Sequence, residues 1–262
     1  VRLLDHEVVR HEVLGRSHAW TLHRAVLDDG REVFFKQGSD FAAEAAGLRW
    51  LGPLAPEVLD ESDERLVLPW LEPERPASRT AEAFGRDLAG LHASGASCFG
   101  APWPGFIADL PLDNTPGDFW PSWYAERRVL PYVRMAYDRG VLTTRDVRLF
   151  EATAARIDDP GEAPSRIHGD LWSGNLHWSQ GRAWLIDPAA HGGHRETDLA
   201  MLALFGAPHL DRIVAAYDEV APLQDGWRER IPLHQLHPLL VHCVLYGTAY
   251  REQALRACGA QP

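Results

Sequence analysis

The sequence predicts an α+β chain of two lobes: a small antiparallel sheet carrying one helix, then a larger and mainly helical lobe. Three observations carry this. Residues 1–68 hold short β-rich runs separated by turn signals. Residues 69–78 (PWLEPERPAS) are rich in proline and charge. Beyond them apolar residues recur at helical spacing, broken by a polar stretch over 166–187.

Within the first lobe, Glu7 to Leu14 and Ala19 to Val26 read as strands. In the second, Trp20, Leu22 and Val26 share a face, with Arg24 interrupting. Asp28-Asp29-Gly30 is a turn signal, because Asp tolerates turn geometry and Gly supplies positive φ. Arg31 to Lys36 is then the partner strand of a hairpin. Asp40 is the candidate cap of a helix over 41–51, with Phe41, Ala45, Leu48 and Leu51 on one face. Pro53 and Pro56 end it. Val58-Leu59 and Arg65 to Leu68 complete five strands. The boundary is placed at a connection over 68–71, giving lobes 1–71 and 72–262.

The second lobe opens with a helix over 81–92, carrying Phe84, Leu88 and Leu91 at helical spacing. A long amphipathic segment over 118–137 is interrupted by Pro121 and Pro131. Another spans 143–157, with Thr144 as its expected N-cap. His177-Trp178 and Trp184-Leu185-Ile186 flank the turn Ser179-Gln180-Gly181 as a hairpin, and helices resume near Thr197.

The chain has 262 residues, 45% hydrophobic and 24% charged, with ten Trp; this is a globular composition with enough apolar residues for a large core. A formal net charge of -11 leaves no surplus of Lys and Arg to neutralise a nucleic-acid backbone, and mildly favours a cationic or neutral substrate. Cys98, Cys243 and Cys258 are scattered, without metal-ligand spacing, as expected of reduced thiols. No apolar run approaches a membrane span, and the charged first residues are not a secretory signal. The expectation is a soluble, cytoplasmic protein; nothing in the sequence sets an oligomeric state.

The chemistry concentrates in His168-Gly169-Asp170-Leu171-Trp172-Ser173-Gly174-Asn175. It contains H-x-D-L-x-x-x-N, the catalytic-loop spacing of kinases, with Gly169 where protein kinases carry Arg. Asp170 is the candidate base that takes the proton of an attacking hydroxyl. Asn175 is the candidate for turning an amide oxygen to Mg²⁺. Twelve residues on, a β-run ends in Asp187, a carboxylate placed to bridge metals on the β- and γ-phosphates of ATP.

Upstream, Val33-Phe34-Phe35-Lys36 resembles the kinase V-A-I-K strand, so Lys36 is the candidate for the α- and β-phosphates. Glu44, on the following helix, would hold it. No G-x-G-x-x-G is present; Gly15-Arg16-Ser17-His18-Ala19 is the turn in its place. In the inter-lobe connection, adenine would meet the carbonyl of Pro69, which has no N–H, and the N–H of Leu71. A metal cluster of Asp187, His191, His194 and His168 is disfavoured, because Gly192-Gly193 separates the histidines.

These residues, with Ile186-Asp187-Pro188-Ala189 and Gly193-His194-Arg195-Glu196-Thr197-Asp198-Leu199-Ala200, resemble the fructosamine kinase (ketosamine-3-kinase) family, within the aminoglycoside-phosphotransferase-like kinases. Phe106-Ile107, Leu110-Pro111, Asn114, Trp120, Trp123, Glu126-Arg127-Arg128 and Pro131 extend the match to nearly the whole chain. Gly15 to Trp20 and Pro69 depart from the family's usual small and acidic residues. The resemblance implies a protein-kinase-like fold and ATP- and Mg²⁺-dependent phosphorylation of a ketosamine at sugar O3. That step destabilises the adduct and releases the amine, a deglycation role. By motif position it implies Asp170 as base, Asn175 and Asp187 as metal ligands, and Trp172 as a substrate-contacting aromatic. His168 and Asp198 are structural supports, Asp198 bracing the catalytic loop through its N–H groups. Trp120 and Trp123 are expected to close the opposite wall of the acceptor site.

With Gly169 in place of Arg and eight residues between Asp187 and Glu196, no phosphorylation switch and no protein-substrate platform are expected. Two other readings stand beside this one: a kinase for another small hydroxyl substrate, such as an aminoglycoside or choline, and a catalytically inactive kinase-fold binding protein.

Overall fold

The computed structural model describes residues 2–17, 20–159 and 161–259. The N-terminal lobe is a six-stranded antiparallel sheet of β1 (Arg2–Leu3), β2 (His6–Ser17), β3 (Trp20–Leu27), β4 (Glu32–Gln37), β5 (Asp60–Ser62) and β6 (Arg65–Pro69). Their order is β1-β2-β3-β4-β6-β5. Helix α1 (Ala42–Leu51) packs on one face. His18 and Ala19, between β2 and β3, lie outside the described residues, as does the start of the second expected strand.

Strand alternation decides what the sheet does. Ala25, Leu27, Val33, Phe35 and Val67 point to one face and form a small core with Leu3. Leu66 and Leu68 point the other way. They join Leu48 and Leu51 of α1 with Leu171, Leu176 and Leu185 from the second lobe. One apolar cluster therefore runs across the lobe junction, and the polar side chains of this face, Lys36 among them, are left at the cleft.

Three local expectations are corrected. Asp40 does not cap α1: Phe41 holds the N-cap position, without a side-chain hydrogen bond. Asp40 sits at φ 67, and its carboxylate accepts from the Ser39 hydroxyl at 2.9 Å, whereas a capping residue needs extended geometry. The fifth strand begins at Asp60, not Val58, and the two-residue β1 is an added edge. Thr143, not Thr144, caps α5 (Thr144–Ala154), because its hydroxyl and the Asp146 carboxylate exchange backbone N–H bonds in a capping box.

The C-terminal lobe adds α2 (Ser78–Ala93), α3 (Trp120–Tyr124), α4 (Leu130–Asp138), α6 (Glu196–Phe205), α7 (Leu210–Val220), α8 (Trp227–Tyr246) and α9 (Arg251–Gly259). A widened π turn over Ala125–Val129 joins α3 to α4, so Pro131 sits in the first turn of a new helix, where its missing N–H costs nothing. No helix among the described residues is long and apolar enough to cross a membrane. Three small hairpin-like pairs complete the lobe: β7 (Gly105–Ile107) with β8 (Leu110–Leu112), β9 (Ser165–Ile167) with β12 (His191–Gly193), and β10 (Leu176–Ser179) with β11 (Arg182–Leu185). The last is the expected hairpin. Gln180 and Gly181, at φ 55 and 70, make its turn.

Candidate active site

The site lies where β4, α1 and the β10–β11 hairpin converge on a cleft of about 380 Å³. Lys36 is 3% exposed. Its Nζ donates to both carboxylate oxygens of Glu44, at 2.8 and 2.9 Å, and to Asp187 Oδ1 at 2.6 Å. Burial alone would lower the Lys36 pKa, but the two carboxylates outweigh it and hold the ammonium charged. Burial pushes Glu44 up to about 7 against the pull of Lys36, with Asp187 adding repulsion. One cation shared by two carboxylates leaves a net negative charge facing the cleft.

Helix α1 reaches this site because it has no side chain at Gly47. A Cβ there would lie 3.0 Å from Pro188 Cγ, so the helix rests directly on the turn that follows Asp187. Asp187 itself sits at φ 52, a left-handed conformation that Asp tolerates better than most residues, and this turns its carboxylate from the end of β11 toward Lys36.

The catalytic-loop motif is held from behind. Asp198 is fully buried on α6; Oδ2 accepts from His168 N at 2.8 Å and Oδ1 from Gly169 N at 2.9 Å. His92 Nε2 lies 3.1 Å from Oδ2, and Tyr217 meets the other nitrogen of that ring. Burial would raise the Asp198 pKa, but these donors hold it below the ordinary carboxylate value. His168 bridges its own loop: Nε2 meets the Ile186 carbonyl at 2.9 Å, so Nδ1 accepts from Asp170 N at 3.2 Å. Gly169 is at φ 81, and a Cβ would stand 2.3 Å from the Ala189 carbonyl oxygen. The backbone thus leaves no room for the arginine that protein kinases carry there.

Asp170 and Asn175 meet across a short turn. Asn175 Nδ2 donates to the Asp170 carbonyl at 2.8 Å and to its Oδ2 at 3.0 Å. With the nitrogen so engaged, Asn175 Oδ1 is the atom left for a hard cation. Burial pushes the Asp170 carboxyl up to about 8; the Asn175 amide opposes this, and Asp187 and Asp198 reinforce it. Trp172 is 40% exposed beside the loop, its indole lying over Gly174, whose absent Cβ would be 2.2 Å from the ring. It also meets Phe205 edge-on, 6.3 Å between centroids.

Not every expected residue reaches the cleft. Trp120 and Trp123 are 2% and 4% exposed and belong to the C-lobe core. Trp120 stacks on Tyr124 and packs against His194 and His234. Trp123 spends its N–H on the Thr115 carbonyl. The family resemblance implied an acceptor wall here; instead α3 turns both rings inward, and neither lines the cleft. The histidines do not gather around Asp187 either. His194, Glu196 and His234 cluster elsewhere, where Arg230 holds Glu196 with two hydrogen bonds.

At the lobe connection, Trp70 N donates to the Glu32 carbonyl, so Pro69 opposite Val33 takes a position in the ladder that needs no N–H. The Leu71 carbonyl accepts from His177 Nε2 at 2.9 Å. Any nucleotide contact at Leu71 therefore falls to its N–H. Sequence reasoning passed over His177, and also the β7–β8 hairpin, whose Phe106, Ile107, Ala108 and Asp109 line the same cleft as Asp170. Ile107, Leu110 and Leu112 are buried on it, but three-residue strands containing Pro111 give too short an alternation to read.

The family model for fructosamine kinase matches residues 17–260. The chain belongs to the fructosamine kinase family. It is a phosphotransferase enzyme acting on a small molecule of the sugar-amine type. A provisionally named ketoamine kinase of Thermus thermophilus is 34% identical over 249 residues, 93% of this chain and 90% of that protein. The crystal structure of a provisionally named fructosamine-3-kinase of Thermobifida fusca superposes with a TM-score of 0.94 at 51% identity, covering 98% of this chain and 95% of its own. A macrolide 2'-phosphotransferase of Brachybacterium faecium, at 16% identity and a TM-score of 0.62 over 97% of this chain and 93% of its own, shares the two-lobed kinase-like fold.

Proposed function

We propose that this enzyme transfers the γ-phosphoryl group of ATP to O3 of the sugar in a small ketosamine, with Mg²⁺, and so promotes release of the amine. The observation that carries the reading is the Asp170–Asn175–Asp187–Lys36 constellation on one cleft. The residues fit both groups. Asn175 Oδ1 and the Asp187 carboxylate are hard oxygen donors suited to Mg²⁺. Lys36 is a buried cation suited to phosphate, and Pro69 carbonyl and Leu71 N–H are main-chain groups suited to an adenine edge.

When bound, Mg²⁺ supplies charge neutralisation to the β- and γ-phosphates. Asp170 accepts the proton of the attacking hydroxyl and orients it; the new O–P bond forms as the bond to the β-phosphate oxygen breaks, and ADP leaves. Glu44 holds Lys36 in place, and the Asp187 carboxylate, which now meets Lys36, would hold the metal ion. His168 and Asp198 keep the loop rigid. The sugar lies against Trp172, whose indole offers an apolar face to C–H groups and π-attraction to a protonated secondary amine.

Charge supports an amine-bearing acceptor. Among the described residues lining the cleft, Asp40, Glu44, Asp109, Asp170 and Asp187 are acidic and Lys36 is the one cation. The test is phosphate transfer from Mg·ATP to fructosyl-lysine, ribulosyl-lysine, free fructose, choline and kanamycin. Transfer to a ketosamine, with free sugar much poorer, is the expected result. Transfer to choline or kanamycin alone would keep the kinase chemistry and remove the deglycation role.

A further inference from the structure

The C-lobe core holds an arginine that the chemistry above does not use. Arg128 is 1% exposed, and no carboxylate lies within ion-pair distance of it among the described residues. The neighbouring Asp113 carboxylate is taken by Arg127 at 2.8 Å. Arg128 instead donates from Nη1 to the carbonyls of Asp113 and Arg127, at 2.6 and 3.2 Å, and from Nη2 to Asn114 Oδ1 at 2.7 Å. Its guanidinium lies 4.3 Å over the Trp123 ring. Burying a guanidinium without a counter-ion is costly. What it secures here is the loop over 113–114 and the orientation of one amide.

That orientation is unambiguous. A guanidinium only donates, so Asn114 must present its oxygen to Arg128 and turn its NH₂ the other way. Asn114 lines the same cavity as Asp170 and Trp172, and also the groove beside Asp113 and Arg127. Its Nδ2 reaches the Trp103 carbonyl at 3.5 Å, the outer limit of a hydrogen bond, and an amide nitrogen has two N–H groups to place. Gly105 opens the space in front of it, for a Cβ there would come within 2.6 Å of Nδ2. A buried donor with one long bond, at the wall of a reactive cleft, is placed to meet an oxygen that arrives with a ligand.

We propose that Asn114 is an acceptor-specificity residue: its amide N–H, aimed by Arg128, donates to a hydroxyl of the bound sugar. This rests on the proposed function. Arg128 is its positioning residue, and Trp123, buried beneath the guanidinium, serves the acceptor site through that stack and not by contact.

The discriminating variant is Asn114→Asp. It keeps an oxygen for Arg128, adds the missing counter-charge and removes the N–H donor. A purely structural Asn114 predicts a variant at least as stable and as active as wild type. The inference predicts an unchanged or raised Tm and a KM for ATP within about twofold. It also predicts a rise of at least ~10-fold in KM for the ketosamine. A series of ketosamines each lacking one sugar hydroxyl adds the second readout. One of them should lose affinity in wild type and lose no more in Asn114→Asp. Equal ketosamine KM in the two proteins overturns the inference while leaving the kinase reading intact. A marked fall in Tm overturns it too, because Asn114 then belongs to the fold. If wild type phosphorylates none of the ketosamines, the functional reading fails and this inference falls with it.

Discussion

The Asn175 side-chain nitrogen bonds both the main-chain carbonyl and the carboxylate of Asp170, at 2.8 and 3.0 Å. A single amide thus fixes the orientation of the candidate base and, by using its nitrogen, leaves its own oxygen for the proposed metal ion. The candidate base and the proposed metal ligand are coupled mechanically, so their variants are expected to differ in kind.

Asp170→Asn should lower turnover on the order of 10²-fold or more while leaving ATP binding in place, because it removes the proton acceptor and no phosphate contact. The wild-type carboxyl is pushed up to about 8 by burial. A base works only when deprotonated, so kcat/KM should climb with pH toward 8 instead of levelling off near the ordinary carboxylate range. Wild-type turnover in the purified variant would remove Asp170 from the chemistry.

Asp187→Ala should weaken Mg·ATP binding strongly, and Asn175→Ala less so, by calorimetric titration. The carboxylate carries a full charge toward the metal and the amide only a dipole. Removing Asp187 also frees Lys36 from one of its two carboxylates, so Mg²⁺-free nucleotide should bind as well or better. Equal Mg·ATP affinity in wild type and Asp187→Ala would place the metal elsewhere.

Trp172→Ala should raise KM for the acceptor more than KM for ATP. The indole is 40% exposed beside the loop and contributes little to the core, so Tm should change by no more than a few degrees. Equal increases in both KM values would make Trp172 a packing residue.

Acid should destabilise the fold through its buried histidines before carboxylates of ordinary pKa titrate, with the raised carboxyls of Asp170 and Glu44 offsetting part of the loss. His168, His191, His194, His234 and His237 are all buried, and burial lowers each pKa from the ordinary 6.5. As pH falls through 6.5 the unfolded chain takes up protons that the folded chain refuses. The contribution of these rings is therefore full above 6.5 and falls below it. Tm measured from pH 7.5 to 5.0 should drop steadily; a flat profile would mean that these rings are not held neutral.

Asp170, Asn175 and Asp187 lie within eighteen residues of one another, in a loop and a hairpin whose turn chemistry is local. Such a constellation is legible because local backbone rules suffice to bring it together. Lys36 is 151 residues from Asp187, and only strand order and motif order pointed to their meeting. Trp120 and Trp123 were expected at the acceptor wall from the family resemblance, which their spacing could not test. Helical periodicity says that two residues share a face, and it does not say whether that face meets solvent, ligand or core.

The sequence by itself determined the two-lobed α+β architecture, the loop motif and its family. Each rests on periodicity, turn residues or spacing along the chain, which are properties of neighbours. The tertiary structure decided the rest. It buried Arg128 with no carboxylate within ion-pair distance among the described residues, and turned the Asn114 amide oxygen to its guanidinium. It excluded a side chain at Gly169 by setting the Ala189 carbonyl against it. These are consequences of close packing between distant segments, where a few tenths of an ångström decide what fits, and no local pattern encodes them.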